Sequence, residues 1–176
     1  ILVSLLGYVG QLYFTTGEIP GPVGSGHHHI APYRAFKARD GYFVIAAFTQ
    51  NFWLKFAAAI DRNDLTGDPR FANITQRKHN KEALYKIIDP MLKTKTVSEW
   101  VSIFERGDVP VAKVLSVGEA LESEQSVARS VVFDYEHSKL GWMKAVGCPF
   151  LCDGKPWRSL LPPPVLGEHT DDILDF

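Results

Sequence analysis

Apolar side chains dominate the opening stretch ILVSLLGYVGQLYF, and the run stops at Gly17. This reads as a buried helix over residues 1–16: Gln11 and the short length argue against a membrane span, and no basic region precedes the run as in a signal peptide. The next segment, EIPGPVGSG, sets Pro20 and Pro22 among Gly17, Gly21, Gly24 and Gly26 and predicts an irregular linker. In YRAFKARDGYFVIAAF the pattern becomes that of a hairpin, with a strand at Tyr33 to Lys37, a turn at Asp40-Gly41 and a strand from Tyr42 to Phe48. Phe52, Phe56 and Ile60 then recur at a helical spacing, with Trp53 and Ala57 beside them. A second helix is predicted from Thr75 as cap residue, with Leu84, Ile87, Ile88 and Leu92 on one side and Pro90 expected to bend or end it. TVSEWVSIFERG carries a capping box, Thr96 with Glu99, an apolar side of Trp100, Val101 and Phe104, and Gly107 as the stop. Strands are predicted near 131–137 and 143–146, followed by an extended connector at Pro162 to Pro164 and a last short helix. No internal repeat is present, which sets solenoids aside.

This order predicts an α+β fold. An N-terminal helix and linker occupy 1–32, a small mixed domain with a short antiparallel sheet and several helices occupies 33–152, and a C-terminal arm occupies 153–176. With 176 residues, 45% of them hydrophobic, the chain can bury one sizeable core. Nineteen basic against 20 acidic residues, a net charge of -1, leave no electrostatic footprint for nucleic acid or an anionic membrane, so any anionic ligand must be held locally. Cys148 and Cys152 lack metal or redox spacing and read as buried thiols in a reducing compartment, cytosolic or an organellar matrix, the mitochondrial one included.

The stretch GSGHHHIAPYRAF places three histidines between glycines and a proline. Adjacent residues of an extended loop point in opposite directions, so His27 and His29 can share a face. No third ligand follows at a recognisable spacing, and His79, His137 and His169 stand in unrelated contexts, so no metal is expected. Two readings stay open: loop imidazoles satisfied by backbone or water, or a binding loop whose glycines let backbone N–H groups approach a ligand closely. Tyr33 either faces the same pocket or fills the core side of its strand, while Trp53 and Trp100 read as core. Glu168 and His169 resemble an acid–base pair, but LGEHT reads better as a turn and cap entering the final helix.

Four pieces in this order resemble the C-terminal half of the family III CoA-transferases, which include formyl-CoA transferase, carnitine CoA-transferase and α-methylacyl-CoA racemase. They are TTGEIPGPVGSGHHHIAPYRAFKARDGYFVIAA, DPRF followed by Arg77, Asn80 and Lys81, TVSEWVSIFERGDVPVAKVLSVGEAL, and PPPVLGEHTDDIL. The resemblance implies exchange of coenzyme A between an acyl-CoA thioester and a small carboxylic acid, with no tightly bound cofactor, through an aspartyl carboxylate that attacks the thioester. It places that aspartate just upstream of Ile1. No catalytic residue is thus expected in this chain, which alone should be inactive: Asp40, Asp68, Asp171 and Asp172 make poor substitutes. It also implies that the arm returns to a Rossmann-like large domain outside the chain, that the complete protein is an interlocked homodimer, and that apolar residues of the first helix are exposed where that domain belongs. Gly24, Ser25, Gly26, His27, His28 and His29, with Tyr33, occupy the place of the loop that closes over the aspartyl intermediate. A racemase or carnitine-type member, or a non-catalytic interaction module, are the rival expectations.

Overall fold

The computed structural model describes residues 2–157 and 161–175, and shows a mixed α+β chain in two compact units that meet in sequence between Val114 and Leu115. The first unit opens with a 3-10 turn, Leu2–Leu6, and helix α1, Gly7–Thr16, whose end is set by Gly17 in the left-handed region (φ 73°) with its N–H bonded to Tyr13 O at 2.8 Å. The expected burial of this helix is not found. None of its residues is buried, and Val3 and Phe14 are about four-fifths exposed at 80% and 78%, because no element of the unit covers them.

Strands β1, Tyr33–Lys37, β2, Tyr42–Ala46, and β3, Val111–Lys113, form an antiparallel sheet in that order, with Phe36 opposite Phe43 and Ile45 opposite Val111. Alternation puts Phe43 and Ile45 on the buried face, where helix α2, Gln50–Ala59, and helix α6, Val97–Arg106, pack. Phe56 and Phe104 stack at 5.6 Å, and Trp53 and Trp100 extend the row at 5.9 and 5.4 Å. Both tryptophans are core, as their spacing implies.

Asp40-Gly41 does more than turn the hairpin. Asp40 Oδ1 accepts the Val97 N–H at 2.8 Å, and Gly41 lies so close to α6 that a Cβ would stand 3.2 Å from Val97 Cγ2. The turn therefore docks the sheet on the start of α6, beside the Thr96–Glu99 capping box. At the other end of α6 the left-handed position falls on Asp108 (φ 52°) and not on Gly107.

Between these elements lie α3, Asp64–Gly67, α4, Ile74–His79, and α5, Lys81–Leu92. The single helix predicted from Thr75 is divided at Asn80, whose side-chain amide donates to Arg70 O and Gln76 O and draws the backbone out of register. The cap is Asn73, not Thr75: its side chain accepts the Gln76 N–H at 2.9 Å. Pro90 does not end α5, which runs on to Leu92; its ring is exposed, and the helix is anchored past it by buried Leu92, whose carbonyl accepts from Trp100 Nε1 at 2.7 Å. Arg77 on α4 is 0% exposed; Nε donates to Ala31 O at 3.0 Å, Nη1 to Gln50 Oε1 and Phe71 O at 2.9 and 3.0 Å, and the guanidinium lies 4.9 Å from the Trp53 ring. Burial pushes it down to about 10, still a cation at neutral pH.

The second unit holds α7, Val117–Leu121, α8, Glu124–Ala128, the hairpin of β4, Val132–His137, and β5, Gly141–Val146, the short pair β6, Leu151–Cys152, and β7, Lys155–Pro156, and α9, Thr170–Leu174. Ser116 and Glu119 form a second capping box. Cys148 is half-buried and Cys152 exposed, which corrects their reading as buried thiols; β6 and β7 are too short to bury a side chain. The predicted extended connector is irregular from Leu161 to Val165, and residues 158–160 lie outside the described residues. Among the described residues no helix is long and apolar enough to cross a membrane.

Arg77→Met strands two buried carbonyls and a glutamine side chain, and is expected to lower the unfolding free energy in urea by about 3 kcal/mol or more, against about 1 kcal/mol for Thr96→Ala. Equal losses in the two variants would show that the guanidinium is not a structural anchor.

Candidate functional site

Gly24, Ser25 and Gly26 turn the chain back onto the sheet. Gly24 takes a left-handed conformation (φ 60°), and Gly26 donates to Val23 O at 3.0 Å, where a Cβ would stand at 3.0 Å from the same oxygen. The loop then satisfies the free edge of β1: Ser25 Oγ accepts the Ala35 N–H at 3.1 Å, and the His27 N–H donates to Tyr33 O at 3.1 Å. Beyond the histidines, the Ala31–Pro32 peptide is cis, and Ala31 O is the carbonyl held by Arg77.

The His27 ring lies between two tyrosines. Tyr8 of α1 stacks on it at 5.0 Å with 6° between planes, and Tyr33 of β1 covers the other face at 5.3 Å and 19°; His28 meets Tyr8 edge-on at 6.3 Å. His27 Nδ1 accepts the His29 N–H at 3.1 Å, which assigns the proton of the neutral ring to Nε2. His29 Nε2 is buried without a partner among the described residues. Burial, then the neighbouring His29 and His28, hold His27 below the ordinary imidazole range. Burial also lowers His29, reinforced by Lys78 and His28 and opposed by Glu18.

The loop is flanked by two clefts that share His27 as a wall. One, of about 300 Å3, is bordered by Gly26, Arg34, Lys81, Glu82 and Tyr85. The other, of about 310 Å3, is bordered by His29, Ile30, Thr75, Lys78 and His79.

The structure thus brings Gly24, Ser25, Gly26, His27, His28, His29 and Tyr33 together around one loop. Tyr33 both belongs to the strand and faces the histidines. His79, read as unrelated, borders the same cleft as His27 and His29, because α4 packs beside the loop. Tyr8 and Lys78 were not singled out by pattern: Tyr8 is one aromatic in an apolar run, and only the density of cations in QRKHNK marks Lys78, whereas Lys81 entered through the family resemblance. Among the described residues no group of three or more histidines, cysteines or carboxylates is placed to hold a metal. At the other end of the chain Glu168 Oε2 accepts the Val165 N–H at 2.7 Å and Gly167 is left-handed (φ 81°), so that glutamate braces a turn; His169 precedes α9 without a side-chain capping bond.

The family model of CoA-transferase family III matches residues 2–170. An acyl-CoA transferase of Fusarium pseudograminearum is 32% identical over 176 residues, covering 98% of this chain and 38% of that protein. Succinyl-CoA:glutarate CoA-transferase of Homo sapiens is 26% identical over 172 residues, covering 98% of this chain and 39% of that protein. Among solved structures, a CaiB/BaiF family protein of Brucella suis superposes with a TM-score of 0.72 at 23% identity, covering 98% of this chain and 44% of that one, and so shares the fold. The chain spans about two fifths of the length of these relatives.

Because both imidazoles are held low, their part in ordering the loop is complete above the ordinary histidine pKa, near 6.5, and is lost as pH falls below it, where an unfolded loop takes up protons more readily. Ring-carbon NMR titration should place His27 and His29 below 6.5, and Tyr8→Ala should move His27 back towards it. Midpoints unaffected by Tyr8→Ala would mean that the stack does not control the ring.

Proposed function

This chain belongs to CoA-transferase family III, and from that membership we propose that it forms part of an acyl-CoA:carboxylate CoA-transferase, with an acyl-CoA thioester as donor and a small carboxylic acid as acceptor. The curated relatives are named as CoA-transferases of acids that include glutarate and oxalate, which supports this substrate class. In this reading an aspartate outside residues 1–176 attacks the thioester carbonyl. The carboxylate–acyl bond forms as the C–S bond breaks, and the CoA thiolate and the acceptor acid then trade places on the enzyme.

Five of the chain's eleven aspartates are already engaged, which supports a nucleophile elsewhere. Asp40 caps α6, Asp68 is bound by Arg70 and Asp64 by Arg62, and Asp89 and Asp108 pair with Arg34 and Lys55. What this chain supplies is a cover. Residues 24–29 lie over the reactive carboxylate and keep water from it, since a mixed anhydride open to solvent would hydrolyse. The observation that carries this reading is the stacking of Tyr8 on His27, which ties the loop to α1, the helix that in the family resemblance leads away from the nucleophile. The exposed apolar side chains of Val3, Leu5 and Phe14 suit a surface covered by further protein, here a Rossmann-like large domain in an interlocked homodimer.

Expressed with the coding sequence that precedes Ile1, the protein is expected to exchange CoA between succinyl-CoA and at least one of glutarate, oxalate and mesaconate, followed by chromatography of the CoA esters; the 176-residue chain alone should not. Absence of exchange with every pair would remove the proposal. In the active protein, replacing His27, His28 and His29 together by glycine should raise acyl-CoA hydrolysis relative to exchange, and an unchanged ratio would remove the covering role.

A further inference from the structure

The histidine loop and the helix that Tyr8 brings to it are held to the rest of the first unit very unequally. The loop is tied to the sheet along its length: Ser25 Oγ accepts from Ala35 N–H, His27 N–H donates to Tyr33 O, Ala31 O accepts from Arg77, and Pro32 O accepts the Ala47 N–H at 3.0 Å. α1 has no such attachment. None of its residues is buried, and its polar side chains bond within the helix, Gln11 to Thr15, and Thr15 and Thr16 to the Gln11 and Leu12 carbonyls. Between helix and loop, residues 19–22 make no hydrogen bond among the described residues, and a Cβ at Gly17 or Gly21 would meet nothing within 4 Å. A connection with few buried contacts and no hydrogen bonds opens at little cost, and such element-terminal residues serve as hinges. What spans the gap is the ring of Tyr8, stacked on His27 at 5.0 Å and edge-on to His28 at 6.3 Å. Its hydroxyl has no hydrogen-bond partner among the described residues, so the ring alone makes the contact.

We propose that Tyr8 and His27 form a latch: the covered site opens when these two rings part and α1 swings on the 17–22 linker, while loop 24–29 stays on the sheet. Tyr8 is thus a positioning residue that acts through His27. Lifting the loop would break both hydrogen bonds to β1 and part His27 from Tyr33 as well as from Tyr8. Swinging α1 loses the contacts of one ring. Tyr33 remains on the other face of His27, and His27 Nδ1 keeps the His29 N–H, so the imidazole stays seated when Tyr8 leaves. That the site so opened is one of acyl exchange rests on the functional reading above; the latch itself does not.

The test uses the 176-residue chain carrying Cys148→Ser and Cys152→Ser, with spin labels at Gln11→Cys on α1 and Lys37→Cys on β1, both exposed positions. Electron–electron double resonance should give a narrow distance distribution in this parent and in Tyr8→Phe, and a broad one in Tyr8→Leu. The His27 and Ala35 amides, which bond the loop to β1, should keep their hydrogen-exchange rates within about threefold in both variants. Tyr8 is 54% exposed, so leucine is accommodated there, and unchanged exchange at buried Ile88 and Phe104 verifies the fold. A broad distribution in the parent, a narrow one in Tyr8→Leu, or faster exchange at His27 and Ala35 with Ile88 and Phe104 unchanged would each overturn the proposal; the last would show that the loop lifts with the helix. In the protein expressed with its preceding sequence, Tyr8→Leu should raise acyl-CoA hydrolysis relative to exchange about two- to tenfold, the population shift that one lost aromatic contact permits, and Tyr8→Phe should restore the ratio. An unchanged ratio in Tyr8→Leu would overturn the latch as a gate. Absence of exchange in the parent would remove the functional reading and leave the latch, which the distances decide without turnover.

Discussion

A buried guanidinium organises the part of this protein that surrounds the histidine loop. Arg77 reaches three segments distant in sequence: the carbonyl that ends the histidine loop, the carbonyl of Phe71 and the side chain of Gln50 at the start of α2. No carboxylate neutralises it among the described residues, so its charge is spread over acceptors and the face of Trp53. Once Arg77 points inward, the rotation of α4 is fixed. The next residues, Lys78 and His79, are carried about 100° and 200° around the helix and emerge beside the loop. The interior cation thus sets the position of the outer one.

The loop gains order by a different route. Its backbone completes the edge of β1, and its first imidazole is clamped between tyrosines from α1 and β1. Stacking and burial favour a neutral ring, so the loop contributes shape and hydrogen bonding more than charge. Positive charge beside the loop comes from Arg34 of β1, Lys78 of α4 and Lys81 of α5.

Local pattern was legible where short-range physics decides. The hairpin strands, the aromatic spacing of α2 and the Thr96–Glu99 box are present because alternation, helical period and capping act within a few residues. The departures arise where distant groups intervene: Asn80 breaks the helix by bonding back to Arg70 O, buried Leu92 anchors α5 beyond Pro90, and Asp40 turns a hairpin residue into a cap for another element. α7 and α8 went unread although Ser116-x-x-Glu119 and Ser123 mark their starts, since both are too short to show a period.

The family likeness was carried by motif order, which any unfolded reading of the chain preserves, and so was the picture of a glycine-led loop before a hairpin. What residue order could not contain was adjacency. That Tyr8 lies on His27, that His79 shares a cleft with His29, and that Lys78 there has no acidic partner among the described residues depend on how α1, α4 and β1 converge. Convergence is set by burial of Arg77 and the aromatic row, a global balance of packing and satisfied hydrogen bonds that no local stretch of sequence expresses.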